Sequence, residues 1–224
     1  MKNNKKLIIF GTSNLSENAH YYFTNDSDYE PVAFCANKEY ITNDNFLGLP
    51  LVPFNEIEEK FPPHEYSFFC SVGYRDINSI RRDIYLKAKE MGYLLASYIS
   101  SKADIAKNVK IGEHCFITTI NIKPYAIIGN NCFIYSNISH HTVIEDHCFI
   151  TGGVCMGGKV KIGEQTFIAL NSTIRDNITI GKRNIIGAGS LILKSTESDQ
   201  LFIAEGTKAQ KISSAVYSKG LSLY

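Results

Sequence analysis

Apolar residues stand at every sixth position through the second half of this chain. The run is unbroken from Ile138 to Ile192, and shorter runs that begin at Ile105 and Ile128 keep the same step before the register shifts. A period of six matches neither the 3.6-residue period of an amphipathic helix nor the 2-residue period of an ordinary strand. A hexapeptide repeat of this kind is typical of a parallel β-helix, which we expect from residue 101 to residue 194.

Three hexapeptides make one triangular coil of about 18 residues, and successive coils stack about 4.8 Å apart. The tripeptide Cys-Phe-Ile recurs at 115–117, 132–134 and 148–150, and Thr166-Phe167-Ile168 follows 18 residues later. These tripeptides are therefore predicted to lie above one another, with the cysteines as small buried ladder residues rather than metal ligands. A glycine often follows the repeated apolar residue, as in Ile162-Gly163, and is expected to supply the φ freedom of a tight turn.

Residues 1–100 lack the repeat and are predicted to form a small α/β domain with a βαβ beginning. Apolar runs predict strands, and mixed runs with apolar spacing of three or four predict helices. The helix after the third strand is expected to bury Ile77, Ile80, Ile84 and Ala88. The expected strands are Leu7–Phe10, Pro31–Cys35 and Tyr66–Val72, and the expected helices are Asn14–Phe23 and Asp76–Met91, the latter beginning at Arg75 or Asp76. Residues 93–99 are expected to join the domains, and residues 195–224 to form a C-terminal loop and tail.

Composition limits the classes of partner. The chain has 224 residues, and 23 Lys and Arg residues against 22 Asp and Glu residues leave a formal charge of +1 with no long run of one sign. Nucleic acid is therefore not an expected partner. The apolar stretch at 7–10 is too short for a secretory signal, and no stretch approaches the ~20 apolar residues needed to cross a bilayer, so a cytoplasmic protein without a membrane span is expected. Six cysteines without a CxxC motif favour reduced thiols.

The ends of the predicted N-terminal strands carry candidate ligand residues. Gly11-Thr12-Ser13 lies at the start of a predicted helix, and the N-terminal amides of such a helix are suited to bind a phosphate. Ala36 and Asn37 end the second strand, and Gly73-Tyr74-Arg75 ends the third, at the sheet edge where open α/β sheets bind ligands. Arg75 is either a bidentate partner of a pyrophosphate or a surface arginine. The turn is not GxGxxG, which disfavours an NAD enzyme.

The order of an α/β domain and hexapeptide coils resembles the nucleotide-amino-sugar N-acetyltransferases and sialic acid O-acetyltransferase-like enzymes. The resemblance rests on Ile-Ser-His-His-Thr-Val-Ile (138–144), the glycine pairs in 151–162, and the segments 168–177 and 185–190. It implies a Rossmann-like N-terminal domain that holds the nucleotide sugar, a left-handed parallel β-helix, and a homotrimer with active sites between subunits. It also implies an acyl-CoA, most simply acetyl-CoA, as co-substrate, with no permanently bound cofactor and no metal.

The same resemblance implies roles for single residues. His140 matches the family's general base, which is a role that suits a histidine at neutral pH. The next family position is often an acid that orients the base; this chain has His141 there, and His141 is the alternative candidate for the base. The family's second histidine, on the thioester side, falls at Phe149, and the turn between Ile134 and Ile138 is two residues short. Gly158 matches an amide that bonds the acyl carbonyl oxygen. The expected CoA contacts are Phe149, Gly158, Ala169, Leu170, Ala188, Gly189 and Lys194.

Several alternatives stay open at this point. The alternative for His140 and His141 is that both are solvated turn residues, and the alternative for Gly158 is that the turn itself needs a glycine. An O-acyltransferase acting on a sugar hydroxyl shares the same base and the same oxyanion donor. A β-helix metalloprotein similar to a γ-class carbonic anhydrase needs histidines that converge on zinc, and the crowding of His140, His141 and His147 in one coil does not supply that set.

Overall fold

The structure, a computed structural model, describes residues 5–118 and 120–221. The first hundred residues build an α/β unit around one sheet. Its elements are β1 (Lys5–Phe10), α1 (Asn14–Asn25), β2 (Tyr29–Ala36), β3 (Asn45–Phe46), β4 (Leu49–Pro53), α2 (Ile57–Lys60), β5 (Ser67–Cys70), α3 (Ser79–Glu90) and β6 (Leu94–Leu95), with 3-10 turns at Lys38–Tyr40 and Phe54–Glu56. The strand order is β3-β4-β2-β1-β5-β6, and every pair except β3–β4 is parallel. The predicted strands and the first predicted helix are confirmed.

The second predicted helix begins later than expected, and of the four residues expected to be buried only Ala88 is fully buried. Asp76, Ile77 and Asn78 all have positive φ, so helical geometry starts only at Ser79, and Asn78 precedes it as the cap residue. The buried side chains are Arg81, Tyr85 and Ala88, whereas Ile80 is 40% exposed. The apolar spacing misled the prediction because an arginine occupies the face that packs inward.

From Tyr98 onward the chain winds into a parallel β-helix of two-residue strands. They are β7 (Tyr98–Ile99), β8 (Asp104–Ile105), β9 (Lys110–Ile111), β10 (Phe116–Ile117), β11 (Asn121–Ile122), β12 (Ile127–Ile128), β13 (Phe133–Ile134), β14 (Val143–Ile144), β15 (Phe149–Ile150), β16 (Cys155–Met156), β17 (Lys161–Ile162), β18 (Phe167–Ile168), β19 (Thr173–Ile174), β20 (Thr179–Ile180), β21 (Ile185–Ile186), β22 (Leu191–Ile192) and β23 (Leu201–Phe202). The repeated isoleucines form the buried core of the coils. The segment expected to be only a linker therefore already supplies the first strand, β7.

The β-helix has three faces. Face one is the sheet β7-β10-β13-β15-β18-β21-β23, and face three is the sheet β9-β12-β14-β17-β20. Face two is interrupted: β8 pairs with β11, Ile122 bridges to Ile138, and β16-β19-β22 form a separate sheet. We call the turns from face one to two corner A, from two to three corner B, and from three to one corner C.

Face one packs against the α/β unit. The predicted stacking is confirmed, because Phe116, Phe133, Phe149 and Phe167 are aligned in register on successive strands. Their rings join Phe69 in one buried cluster with the N-terminal sheet. The three cysteines of the repeated tripeptide point into the coil and are fully buried, as expected.

The glycines after the repeated isoleucines are required for a different reason from the one expected. Gly112, Gly129 and Gly163 do not have positive φ; a Cβ added at Gly163 would lie 2.6 Å from the backbone nitrogen of Lys182 on the next coil. These glycines therefore allow close approach of stacked coils. The left-handed turn residues at corner C are instead His114, Asn131, His147, Gln165 and Arg183.

The C-terminal region contains more structure than the expected loop and tail. Strand β23 pairs with β21, and helix α4 (Ser214–Leu221) begins after Ser213, whose carbonyl accepts from the amide of Tyr217.

No helix within the described residues is both long and apolar enough to cross a membrane.

Candidate active site

A cavity of 290 Å³ lies at the carboxyl ends of β1, β2 and β5. We call it the edge cavity. The strand order reverses at β1, which has β2 on one side and β5 on the other, and open parallel sheets bind ligands at such a switch point. Seven of the residues expected to bind a nucleotide sugar line it: Gly11, Thr12, Ser13, Ala36, Asn37, Gly73 and Arg75. The structure adds Phe10, Tyr40, Ser71, Val72 and Ile80 to the lining.

Gly11 is required by both conformation and space. Its φ is +118°, and an added Cβ would lie 2.7 Å from the Ser16 hydroxyl and 2.9 Å from the Ser71 hydroxyl. These hydroxyls lie 2.8 Å apart, and Ser71 also donates to the carbonyl of Phe10. The glycine thus lets α1 start directly against the end of β5 and leaves the first turn of the helix open to the cavity.

Tyr74 does not line the edge cavity, contrary to expectation. Its ring stacks on Phe167 of the β-helix with centroids 4.1 Å apart, and it contacts Phe149 edge-on. The neighbouring Arg75 is exposed and does line the cavity. The loop after β5 therefore has two sides, one facing the ligand cavity and one facing face one of the β-helix.

At corner B the imidazole of His140 lies directly over Gly158 of the next coil. A Cβ added at Gly158 would be 2.3 Å from Cε1 and 2.4 Å from Nε2 of His140. Gly158 does not have positive φ; that conformation belongs to Lys159, with φ 59°. The glycine is therefore not there for the turn but to leave room for the ring. Its N–H donates no hydrogen bond within the described part of the chain.

His140 and His141 form a pair at this corner. Their Nδ1 atoms lie 3.1 Å apart, so one nitrogen must carry a proton and the other must accept it. His141 stacks on Tyr125 of the preceding coil, with centroids 4.6 Å apart. The pairing leaves Nε2 of His140 as the ring nitrogen available to a ligand. This contact ties the ring of His140 to that of His141 through Nδ1.

A second cavity, of 530 Å³, lies on face two where the sheet is interrupted. We call it the face-two cavity. It is created by the short turn between Ile134 and Ile138, which leaves β16 without a strand partner on the preceding coil. Ser139, next to His140, and Met156, two residues before Gly158, both line it. His140 and Gly158 do not line the cavity themselves but follow these lining residues closely in the chain.

The expected CoA contacts fall on two corners that bound face two. Ala169 and Leu170, with Ala188 and Gly189 one coil further on, lie together at corner A, where the amide of Gly189 donates to the carbonyl of Leu170 at 2.9 Å. Lys194 comes two residues after the end of β22, as Gly158 comes two residues after the end of β16. Because β16, β19 and β22 stack on successive coils, Lys194 lies at corner B two coils beyond Gly158.

Phe149 is not in this group of expected CoA contacts. It is only 6% exposed and lies in the aromatic cluster between face one and the α/β unit. A residue at this position of the repeat points outward on face one, where the N-terminal sheet covers it. Phe149 is therefore a packing residue in this chain.

A buried polar column at corner C was missed by the sequence reasoning. The amide of Cys70 donates to Nε2 of His114 at 2.8 Å, so His114 carries its proton on Nδ1 and donates to Oδ1 of Asn131. The side-chain amide of Asn131 in turn faces Nδ1 of His147 at 2.9 Å. Burial lowers the pKa of His114 to about 3, and burial also lowers the pKa of His147. The sequence did contain a sign of this column: the three residues each stand one position before a Cys-Phe-Ile tripeptide.

Comparison with known proteins supports the fold. Residues 159–194 match the profile of the bacterial transferase hexapeptide family (six repeats). The acetyltransferase domain of PglB from Neisseria gonorrhoeae, in complex with acetyl coenzyme A, superposes with a TM-score of 0.76 at 19% identity over 88% of this chain and 94% of that chain. A mutant of perosamine N-acetyltransferase from Caulobacter crescentus, in complex with CoA and GDP-perosamine, gives 0.75 at 19% identity over 88% and 92%.

A sequence relative adds a third comparison. The serine acetyltransferase of Synechococcus elongatus is 30% identical over 95 residues, which are 37% of this chain and 39% of that protein. The chain therefore spans less than half of this curated relative. The resemblance to hexapeptide-repeat transferases of the left-handed β-helix fold, predicted from the sequence, is confirmed by the profile and the two structures.

Proposed function

We propose that this protein is an acyl-CoA-dependent N-acyltransferase. It moves an acetyl group from acetyl-CoA to the amino group of an amino-dideoxy sugar linked to dTDP or UDP. The observation that carries the proposal is the His140 imidazole held over Gly158, at a corner whose neighbouring residues Ser139 and Met156 line the face-two cavity. The similar structures of PglB and perosamine N-acetyltransferase support it, because they contain acetyl coenzyme A or CoA, and the second contains a nucleotide amino sugar.

The reaction follows from the protonation pattern at corner B. His140 acts as base through Nε2 when its proton is on Nδ1 and is donated to Nδ1 of a neutral His141. The amine attacks the thioester carbonyl while Nε2 removes a proton from the attacking nitrogen. The oxyanion that forms is stabilised by the free N–H of Gly158. Collapse breaks the C–S bond, the amide remains on the sugar, and the thiolate takes the proton to give CoA. No covalent acyl-enzyme is needed.

The substrates are assigned to separate regions. We propose that residues 1–100 bind the nucleotide, with its phosphates near the N-terminus of α1 and Arg75 in the edge cavity. Residues 101–194 carry the acyl transfer, and the pantetheine arm of CoA lies along face two between corners A and B. The exposed position of His140 fits an active site completed by a second subunit of a cytoplasmic homotrimer.

The first test is release of free thiol from acetyl-CoA, measured with dTDP- and UDP-linked 3-amino and 4-amino sugars and with GDP-linked amino sugars. Turnover with one amino sugar, and a product heavier by one acetyl group in mass spectrometry, supports the proposal. Turnover only with the corresponding hydroxy sugars would establish O-acylation instead. Bound CoA without turnover on any sugar would reject the acceptor class.

A further inference from the structure

Arg81 is fully buried between the α/β unit and the β-helix. Within the described residues all of its hydrogen bonds go to uncharged oxygens. On the N-terminal side its Nη1 donates to the carbonyl of Gly73 at 3.0 Å and lies 3.5 Å from the carbonyl of Val72. On the β-helix side its Nη2 donates to the carbonyl of His147 at 3.0 Å, and its Nε donates to Oδ1 of Asn131 at 3.1 Å.

The guanidinium also lies against two neighbouring aromatic rings of face one. Its central carbon lies 4.6 Å from the ring centroid of Phe133 and 5.5 Å from that of Phe149. These cation–π contacts act together with the hydrogen bonds, which direct its donors to set acceptors on both sides. A buried charge without an ionic partner is weak support for stability, because its desolvation opposes what its hydrogen bonds contribute. The arrangement therefore calls for a role besides holding the two domains together.

Two of the acceptors, Val72 and Gly73, belong to the wall of the edge cavity. The same wall continues into a strained turn: Asp76, Ile77 and Asn78 have φ values of 49°, 46° and 64°, and Ile77 is a β-branched residue for which this conformation is costly. Strain of this kind persists only where surrounding contacts fix it. Here Asn78 supplies them, because its Oδ1 accepts from Nη1 of Arg81 at 3.0 Å and its Nδ2 donates to the carbonyl of Gln165 at 3.0 Å.

We infer that Arg81 is a positioning residue for nucleotide binding: it ties the wall of the edge cavity at Val72–Arg75 to the β-helix and so fixes where Arg75 meets the phosphates. The inference rests on the proposed function of the edge cavity. Arg81 does not touch the ligand itself. Without its guanidinium, the carbonyls of Gly73 and His147 lose their shared donor, and the strained turn is free to relax away from the cavity.

The test is calorimetric titration of the purified full-length protein with dTDP, UDP and GDP, and separately with acetyl-CoA. Arg81→Lys keeps the charge but removes the fork of donors, so nucleotide affinity is expected to fall at least about tenfold while the affinity for acetyl-CoA stays within about twofold. Arg82→Lys is the matched control, since Arg82 bonds Asp83 and Gln165 but no residue that lines the cavity, and it should leave both affinities unchanged.

Asn78→Gly provides a second, milder variant in case Arg81→Lys does not fold. Glycine keeps the left-handed backbone but removes both side-chain bonds, so a selective loss of nucleotide affinity is again expected. Equal weakening of both ligands, or unchanged nucleotide binding in a folded variant, would overturn the inference while leaving the proposed function intact. A wild-type protein that binds none of the three nucleotides would overturn the proposed function, and this inference with it.

Discussion

The imidazole of His140 occupies the space that a side chain at Gly158 would fill. Gly158→Ala would place a methyl group 2.3 Å from Cε1, so the ring must rotate away from its present position. We expect acetyl transfer to fall at least about tenfold, since misplacement of a catalytic group by about 1 Å has effects of this size or larger. Steady-state measurement of thiol release would show the change in kcat.

Gly152→Ala is the matched control for this substitution. Gly152 also lies in a coil corner, but an added Cβ would meet only Cδ2 of Leu170 at 3.9 Å, an ordinary contact. Its kcat should stay near that of the wild type. A comparable loss in both variants would indicate a general effect on the coils rather than displacement of His140.

Replacing His140 itself tests the base. His140→Asn should lower kcat by about 10²–10⁴-fold, the usual contribution of a general base, with little change in the melting temperature because the side chain is exposed. A decrease of less than about tenfold would argue against His140 as the base.

His141 should behave as an orienting group. Asparagine keeps an acceptor for the Nδ1–H of His140, and leucine does not. We therefore expect His141→Leu to lower kcat clearly more than His141→Asn, with similar KM values for acetyl-CoA. If His141→Asn abolishes activity while His140→Asn does not, the roles of the two histidines are exchanged.

The buried column at corner C predicts acid-labile stability. The pKa of His114 is about 3 in the folded state against about 6.5 in an unfolded chain, so between these values only the unfolded chain binds the proton. Stability is fully present above pH 6.5 and is lost at up to about 1.4 kcal/mol per pH unit below it. Urea unfolding at pH 7.5, 6.0 and 5.0 would measure the slope.

His114→Gln removes this titrating group and keeps both an acceptor for the Cys70 amide and a donor to Asn131. The slope of stability against pH should decrease. His64→Gln, at an exposed position, should leave the slope as in the wild type. An unchanged slope in His114→Gln would show that the acid sensitivity arises elsewhere.

Cys155 is the one exposed cysteine, while the other five are buried. The native protein should therefore expose one reactive thiol to a disulfide reagent, and six after unfolding. Because Cys155 lines the face-two cavity, a bulky maleimide there should block acyl transfer. Cys155→Ser should stay active after the same treatment, and inhibition of that variant would point to another site.

The β-helix was predictable because its inward isoleucines recur at a fixed period of six, and that period can be read directly from the sequence. For helix α3 the sequence predicted the burial of Ala88 but not that of Arg81, because apolar spacing assumes that charged residues stay in water. Arg81 violates that assumption, since carbonyls from two domains meet its guanidinium. The partners on the β-helix come from positions 50 or more residues away and leave no mark in the local sequence.

For the candidate site, the sequence placed His140 and Gly158 one coil apart, but it did not show that the glycine makes room for the ring. That relation depends on the stacking of two corners, and the open alternative of a turn glycine is excluded only by its φ. Phe149 was assigned to CoA from alignment alone. Its burial became visible only once face one was known to be covered.

The 18-residue separation of His140 and Gly158 bears on how such chains vary in length. Each coil touches only its neighbours, so a whole coil inserted beyond β20 would extend the molecule by one rung, about 4.8 Å, without altering the contact between His140 and Gly158. A gain or loss of even one residue between 140 and 158 would instead slide another side chain beneath the imidazole. Tolerance to insertion should therefore change abruptly along an otherwise uniform repeat.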